Sequence, residues 1–117
     1  MKSFRFGIVI KVRDLDACRI FYRDALGFGE PKLDSGFMSV FQLDEELTLT
    51  LESSRAAYLE HASGATLWSF AVDDPQRLSQ SLENSGYSPL TPLDRGEGFS
   101  CLRGSDPEGN LFYVFKK

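Results

Sequence analysis

The chain is predicted to fold as an α+β protein, two βαβββ modules forming a curled mixed sheet around a cavity. Three observations carry that expectation. The order strand, helix, three strands occurs twice within 117 residues. Within it, strand segments alternate apolar and polar residues, whereas helical segments space their apolar residues by three and four. Finally, a half with one helix leaves the other face of its sheet bare, so two halves bury more by joining sheets and enclosing a space.

The first module is read over about residues 1–53. Phe4, Phe6, Ile8, Ile10 and Val12 alternate with Arg5, Gly7, Val9 and Lys11, the pattern of a strand with one apolar face. Asp14 then precedes Leu15, Cys18, Phe21, Tyr22, Ala25 and Leu26, an amphipathic helix for which Gly27 is the stop. Extended stretches at 30–33, 37–43 and 47–52 are separated by Asp34-Ser35-Gly36 and Asp44-Glu45-Glu46. A polar linker at about 54–65, with a helical turn expected at 56–59, joins this module to a second over about 66–117. There, 67–72 reads as a strand, Asp74-Pro75 as a helix start, Leu78 and Leu82 as the buried stripe and Gly86 as the stop. Residues 87–90, 98–102 and 111–115 supply the remaining strands, with Asp106 to Asn110 as the last turn. Overlaying the halves matches Val12 with Val72 and Asp14 with Asp74.

Composition narrows the class. With 42% apolar and 26% charged residues the chain has what a true core requires, so disulfide staples are not needed. Its net charge of −4, with Lys and Arg scattered among acids, leaves no basic stripe for a phosphate backbone, and nucleic acid is not an expected partner. No apolar run reaches the roughly 20 residues that cross a bilayer, and the first residues carry no cleavage signal. A cytoplasmic protein without membrane contact is expected. Cys18 and Cys101 lack the spacing of a zinc or redox site and read as two buried thiols.

Val12 to Phe28, V-R-D-L-D-A-C-R-I-F-Y-R-D-A-L-G-F, together with D-P-E-G-N at Asp106 to Asn110, resembles the vicinal oxygen chelate superfamily of glyoxalase, bleomycin-resistance and dioxygenase proteins. The resemblance spans nearly the whole chain. The first element is fairly specific after a valine-rich strand; the second alone is a common turn. Membership implies paired modules around a ligand cavity, commonly completed by a symmetric homodimer, and in the family's enzymes a divalent metal that chelates neighbouring substrate oxygens. The family's ligands, His or Gln on the first strand of each half and Glu on the last, fall here on Gly7 and Leu67, on Thr48 or Thr50, and on Tyr113. None is a customary metal donor, and a divalent ion needs three or four imidazole, carboxylate or thiolate groups to replace its hydration shell. Glu52 and His61 are the remaining candidates, with a solvated strand end and a surface linker as their ordinary readings. No cofactor is expected.

With ligands absent, Arg5, Gly7, Val9, Thr48, Thr50, Glu52, Leu67, Ser69 and Tyr113 become the cavity candidates. Ten Phe, four Tyr and Trp68 supply aromatic surface for a flat ligand, although most must be core and Trp68 shares its face with Phe70 and Val72. Arg5 and Arg103 are the cations that could meet an anionic ligand. Three readings stay open: metal-free binding or sequestration of a small, aromatic or antibiotic-like molecule; a metal-dependent lyase, epimerase or dioxygenase with displaced ligands; and a non-catalytic regulatory or interaction domain. Missing ligands and aromatic content favour the first, and whether the chain is an enzyme stays open, with a non-catalytic role favoured by the non-ligating residues at the four family positions.

Overall fold

Alternation of apolar residues sets the first strand, β1 (Phe6–Val12), in which Ile10 and Val12 are buried while Val9 is 57% exposed. The computed structural model describes residues 5–54, 67–94 and 100–117. The chain divides into two compact units, Met1–Ser63 and Gly64–Lys117. The expected helical turn at 56–59, His61, Phe4, Gly98 and Phe99 lie outside the described residues.

In the first unit, Asp14 ends β1's extended run and caps helix α1 (Leu15–Ile20), its Oδ1 accepting from the Ala17 amide at 3.0 Å. The helix widens into a π-helical segment, Phe21–Ala25, where the Leu26 amide donates to the Phe21 carbonyl five residues back at 2.9 Å. The sequence pattern predicts one regular helix. Here the widened turn accompanies the burial of the adjacent rings of Phe21 and Tyr22, which meet edge to face at 5.2 Å. Gly27, at φ 77°, follows as expected. Strands β2 (Leu33–Asp34), β3 (Met38–Asp44) and β4 (Leu47–Ser53) complete a sheet of order β1-β4-β3-β2, with β1 and β4 parallel and the other pairs antiparallel. Strand β2 is shorter and begins later than the extended stretch expected at 30–33.

The helix covers one face of this sheet. Phe41, Leu49, Leu51 and Val12 pack there with Cys18, Phe21 and Tyr22, all buried. Ser39 is buried among them, and its hydroxyl donates to Asp34 Oδ1 at 2.5 Å. Arg19 joins helix to edge strand, its Nε donating to Asp34 Oδ1 at 2.8 Å and to Ser39 Oγ at 2.9 Å. A buried hydroxyl is tolerated when so partnered. The Ser39 hydrogen bond, aided by the Arg19 guanidinium, holds the Asp34 carboxyl below the ordinary carboxylate range against the desolvation that pushes it up.

The second unit repeats the scheme with β5 (Trp68–Val72), α2 (Pro75–Asn84), β6 (Thr91–Asp94), β7 (Ser100–Ser105) and β8 (Leu111–Lys116), in sheet order β5-β8-β7-β6 with β5 and β8 parallel. Asp74 caps α2, accepting from the Arg77 amide at 3.1 Å, Pro75 opens the helix, and Gly86 follows its end at φ 89°. The strand expected at 87–90 lies instead at 91–94. The amides that would have entered the sheet serve the helix: Tyr87 donates to the Leu82 carbonyl and Leu90 to Ser79 Oγ, each at 2.9 Å. The buried side chains of Leu82, Leu90, Leu102, Phe112 and Val114 form the core. Trp68 and Phe70 stack near Phe112, with centroid separations of 5.1, 6.3 and 5.6 Å around the trio. Both cysteines are free thiols and buried. Among the described residues, no helix is long and apolar enough to cross a membrane.

Candidate functional site

Because side chains alternate across a strand, the helix on one face of each sheet assigns the remaining residues to an open face. In the first unit that face carries Gly7, Val9 and Lys11 on β1, Thr48, Thr50 and Glu52 on β4, and Met38, Val40 and Gln42 on β3, as the registers Gly7↔Thr48, Val9↔Thr50, Lys11↔Glu52 and Val40↔Thr50 dictate. Leu33, 55% exposed, extends the row from Val40 on β2. Arg5 is exposed immediately before β1. Five of the predicted residues, Gly7, Val9, Thr48, Thr50 and Glu52, therefore share one surface.

Sequence alone does not say which side of β3 is open. Burial of Ser39 and Phe41 against the helix settles it for Met38, Val40 and Gln42, none of which the sequence pattern singles out. Phe37, just before the strand, is 78% exposed.

In the second unit the open face holds Ser69 and Ala71 on β5, Tyr113 and Phe115 on β8, Arg103 and Cys101 on β7, and Thr91 and Leu93 on β6. Leu67 precedes β5, half-buried. The ladders align as Ser69↔Tyr113, Arg103↔Tyr113 and Thr91↔Arg103, which puts Ser69, Tyr113, Arg103 and Thr91 in one row across all four strands. Thr91 escapes the sequence reading because its strand was expected four residues earlier. Trp68 faces the helix side with Phe70, as its strand neighbours suggest.

The parallel registers also relate the two units position by position. Val12 pairs with Ser53 and Val72 with Lys116, so Thr50 rather than Thr48 holds in the first unit the place of Tyr113 in the second.

Gly7 has no side chain and Leu67 only hydrocarbon; Thr50 offers a neutral hydroxyl and Tyr113 a phenol. A methyl group built on Gly7 would lie 3.2 Å from Thr48 Oγ1, so the space beside this glycine is bounded by another neutral hydroxyl. Among the described residues, no three His, Cys, Asp or Glu side chains converge. The residues at the expected ligand positions do not fit a divalent metal.

A depression of about 500 Å³ lies in the second unit between the start of α2, at Asp73, Pro75 and Gln76, and the strand residues Pro92, Leu102 and Val114, and it shares Leu93 and Cys101 with the open face. None of the nine predicted site residues lines it.

The structure resembles a glyoxalase/bleomycin resistance protein from Catenulispora acidiphila, with a TM-score of 0.74 and 19% identity over 98% of this chain and 99% of that one. It also resembles lactoylglutathione lyase from Agrobacterium tumefaciens, with a TM-score of 0.73 and 24% identity over 99% and 95% of the two chains. A bleomycin-binding protein complexed with bleomycin has a TM-score of 0.69 and 19% identity, covering 100% of this chain and 99% of that chain. No curated protein sequence matches at a significant level. At these identities the likeness establishes the fold. The model of the Glyoxalase/Bleomycin resistance protein/Dioxygenase superfamily matches residues 7–114, nearly the entire chain, and with the repeated βαβββ units it assigns the protein to that superfamily.

Proposed function

We propose that the protein binds a small organic molecule on its open sheet faces without a metal, in the manner of a sequestering protein rather than a lyase or dioxygenase. The observation that carries this reading is the donor set at the four family ligand positions: Gly7, Thr50, Leu67 and Tyr113. Lewis-acid chemistry requires a held cation, and these groups cannot displace its water. Such a surface can still hold a ligand by burial of apolar area, with a few polar groups orienting it. In the first unit Val9, Val40 and Leu33 supply apolar area beside the Thr50 hydroxyl, and in the second Phe115 and Leu93 supply it beside Tyr113 and Ser69. The similar bleomycin-binding protein, itself complexed with bleomycin, supports this class of activity. A symmetric homodimer in the cytoplasm accompanies the proposal.

The test is anaerobic calorimetric titration of the purified protein with Mn²⁺, Fe²⁺, Ni²⁺ and Zn²⁺ at neutral pH, with metal analysis of untreated protein. No stoichiometric binding is expected. Tight binding of one ion per chain, abolished by Glu52→Ala or His61→Ala, would instead establish a displaced metal site and return the protein to the enzymes of its superfamily. A screen of aromatic ligands against the metal-free protein then tests binding itself.

A further inference from the structure

The two open faces are built on equivalent positions but differ in chemistry. In the first unit the central row is Val9, Thr50, Val40 and Leu33; in the second it is Ser69, Tyr113, Arg103 and Thr91. Arg103 thus stands where the first unit has Val40, so the fold itself does not demand an arginine there. It is the only charged side chain that β5–β8 present on this face, and it is exposed. Arg103 makes no ion pair with a described residue.

Strands about 4.8 Å apart bring its guanidinium within reach of whatever the neighbouring Tyr113 phenol touches. The next row along the strands, about 7 Å away, holds Ala71, Phe115, Cys101 and Leu93. A cation beside hydroxyl donors, next to an apolar strip with a ring and, among the described residues, without a paired carboxylate, is complementary to one kind of molecule.

We infer that the open face of the second unit takes a small organic carboxylate with a planar apolar body. The carboxylate meets Arg103 and the Tyr113 hydroxyl, while the ring lies toward Phe115 and Leu93. A guanidinium presents paired donors that match a carboxylate, and Tyr113 adds a donor from the adjacent strand. This inference rests on the small-molecule reading above and specifies its ligand as an anion.

The experiment compares three probes of one shape: 1-naphthoate, 1-naphthamide and 1-naphthylmethylammonium, titrated into the full chain at low ionic strength and followed by heteronuclear NMR. Naphthoate is expected to bind roughly five- to tenfold more tightly than the amide, as hydrogen bonds to a charged group allow, and the cation more weakly than either. Arg103→Gln, an exposed position whose folding is checked by urea denaturation, should abolish the preference for naphthoate over the amide. Added salt should weaken naphthoate selectively. Equal affinities for the three probes, a preference for the cation, or a naphthoate preference that survives Arg103→Gln would overturn the anion assignment while leaving small-molecule binding intact. Failure of all three to bind would overturn both.

Discussion

Replacing Asp106 by alanine is expected to destabilise the second unit by about 2–4 kcal/mol, a figure that follows from the turn it organises. Asp106 is 4% exposed. Its Oδ1 accepts from the amides of Glu108 and Asn110, each at 2.9 Å, and its Oδ2 accepts from Asn110 Nδ2 at 2.8 Å. Hydrogen bonds to charged groups contribute about 1.5–3 kcal/mol each when both partners are dry. Glu108 and Asn110 are half-exposed, so the freed amides partly regain water and the loss falls below the sum of three bonds. Asparagine keeps an oxygen for the two backbone amides but sets a donor against Asn110 Nδ2, so Asp106→Asn should cost about half as much. Adding Asn110→Asp to that variant restores a donor–acceptor pair and should recover part of the loss. Urea denaturation measures all of these as shifts in midpoint at constant slope. A loss below about 1 kcal/mol for Asp106→Ala, or equal losses for the alanine and asparagine variants, would refute the assignment of this side chain as the acceptor that closes the turn. The turn bears on function, because it joins β7 to β8 in the register Ser105↔Leu111 that sets Tyr113 opposite Arg103.

Other positions test the packing and electrostatics. A methyl group on Gly104 would approach Phe112 Cζ to 2.6 Å and Leu90 Cδ2 to 2.7 Å; both neighbours are buried. Gly104→Ala is therefore expected to cost about 1–3 kcal/mol by overpacking, and less in a Phe112→Leu background, as a double-mutant cycle by urea denaturation would reveal. The Asp34 carboxyl has a depressed pKa in the folded chain, so its contribution to stability is present above the unfolded value of about 4 and is lost as pH falls through the lower folded value. Asp34→Asn should flatten the decline of the urea midpoint below about pH 4; an unchanged decline would show that the Ser39 and Arg19 contacts do not distinguish the carboxylate from the neutral group.

What could be read directly from the chain was local. Asp14 and Asp74 announced the two helix starts because a short carboxylate accepts from the amides three residues on, and Gly27 and Gly86 marked their ends because each lies at positive φ. Period-two alternation located β1, β3, β4 and β8, and the repeat of these signals implied two similar halves. The absence of metal donors at Gly7 and Leu67 was likewise visible, since the chemistry of a side chain does not depend on its neighbours.

Long-range pairing decided the rest. Both sides of β3 contain apolar residues, so alternation cannot choose between Ser39 with Phe41 and Met38 with Val40. The choice came from burial of Ser39 and Phe41 against the helix, where Arg19, far from Ser39 in the chain, and Asp34, on the neighbouring strand, satisfy the buried hydroxyl. Strand β6 moved to Thr91–Asp94 because Ser79, on a different element, captured the Leu90 amide. The π-helical segment accompanies the burial of two adjacent rings, Phe21 and Tyr22, which the three-and-four spacing does not reveal. Register, too, is a property of two strands rather than one: it identified Thr50 as the counterpart of Tyr113 and brought Arg103 between Tyr113 and Thr91. Sequence alone determined the repeated architecture and the chemistry absent from the family's ligand positions; the tertiary structure decided which side chains share an open face, because that depends on hydrogen-bonded partners that no local pattern encodes.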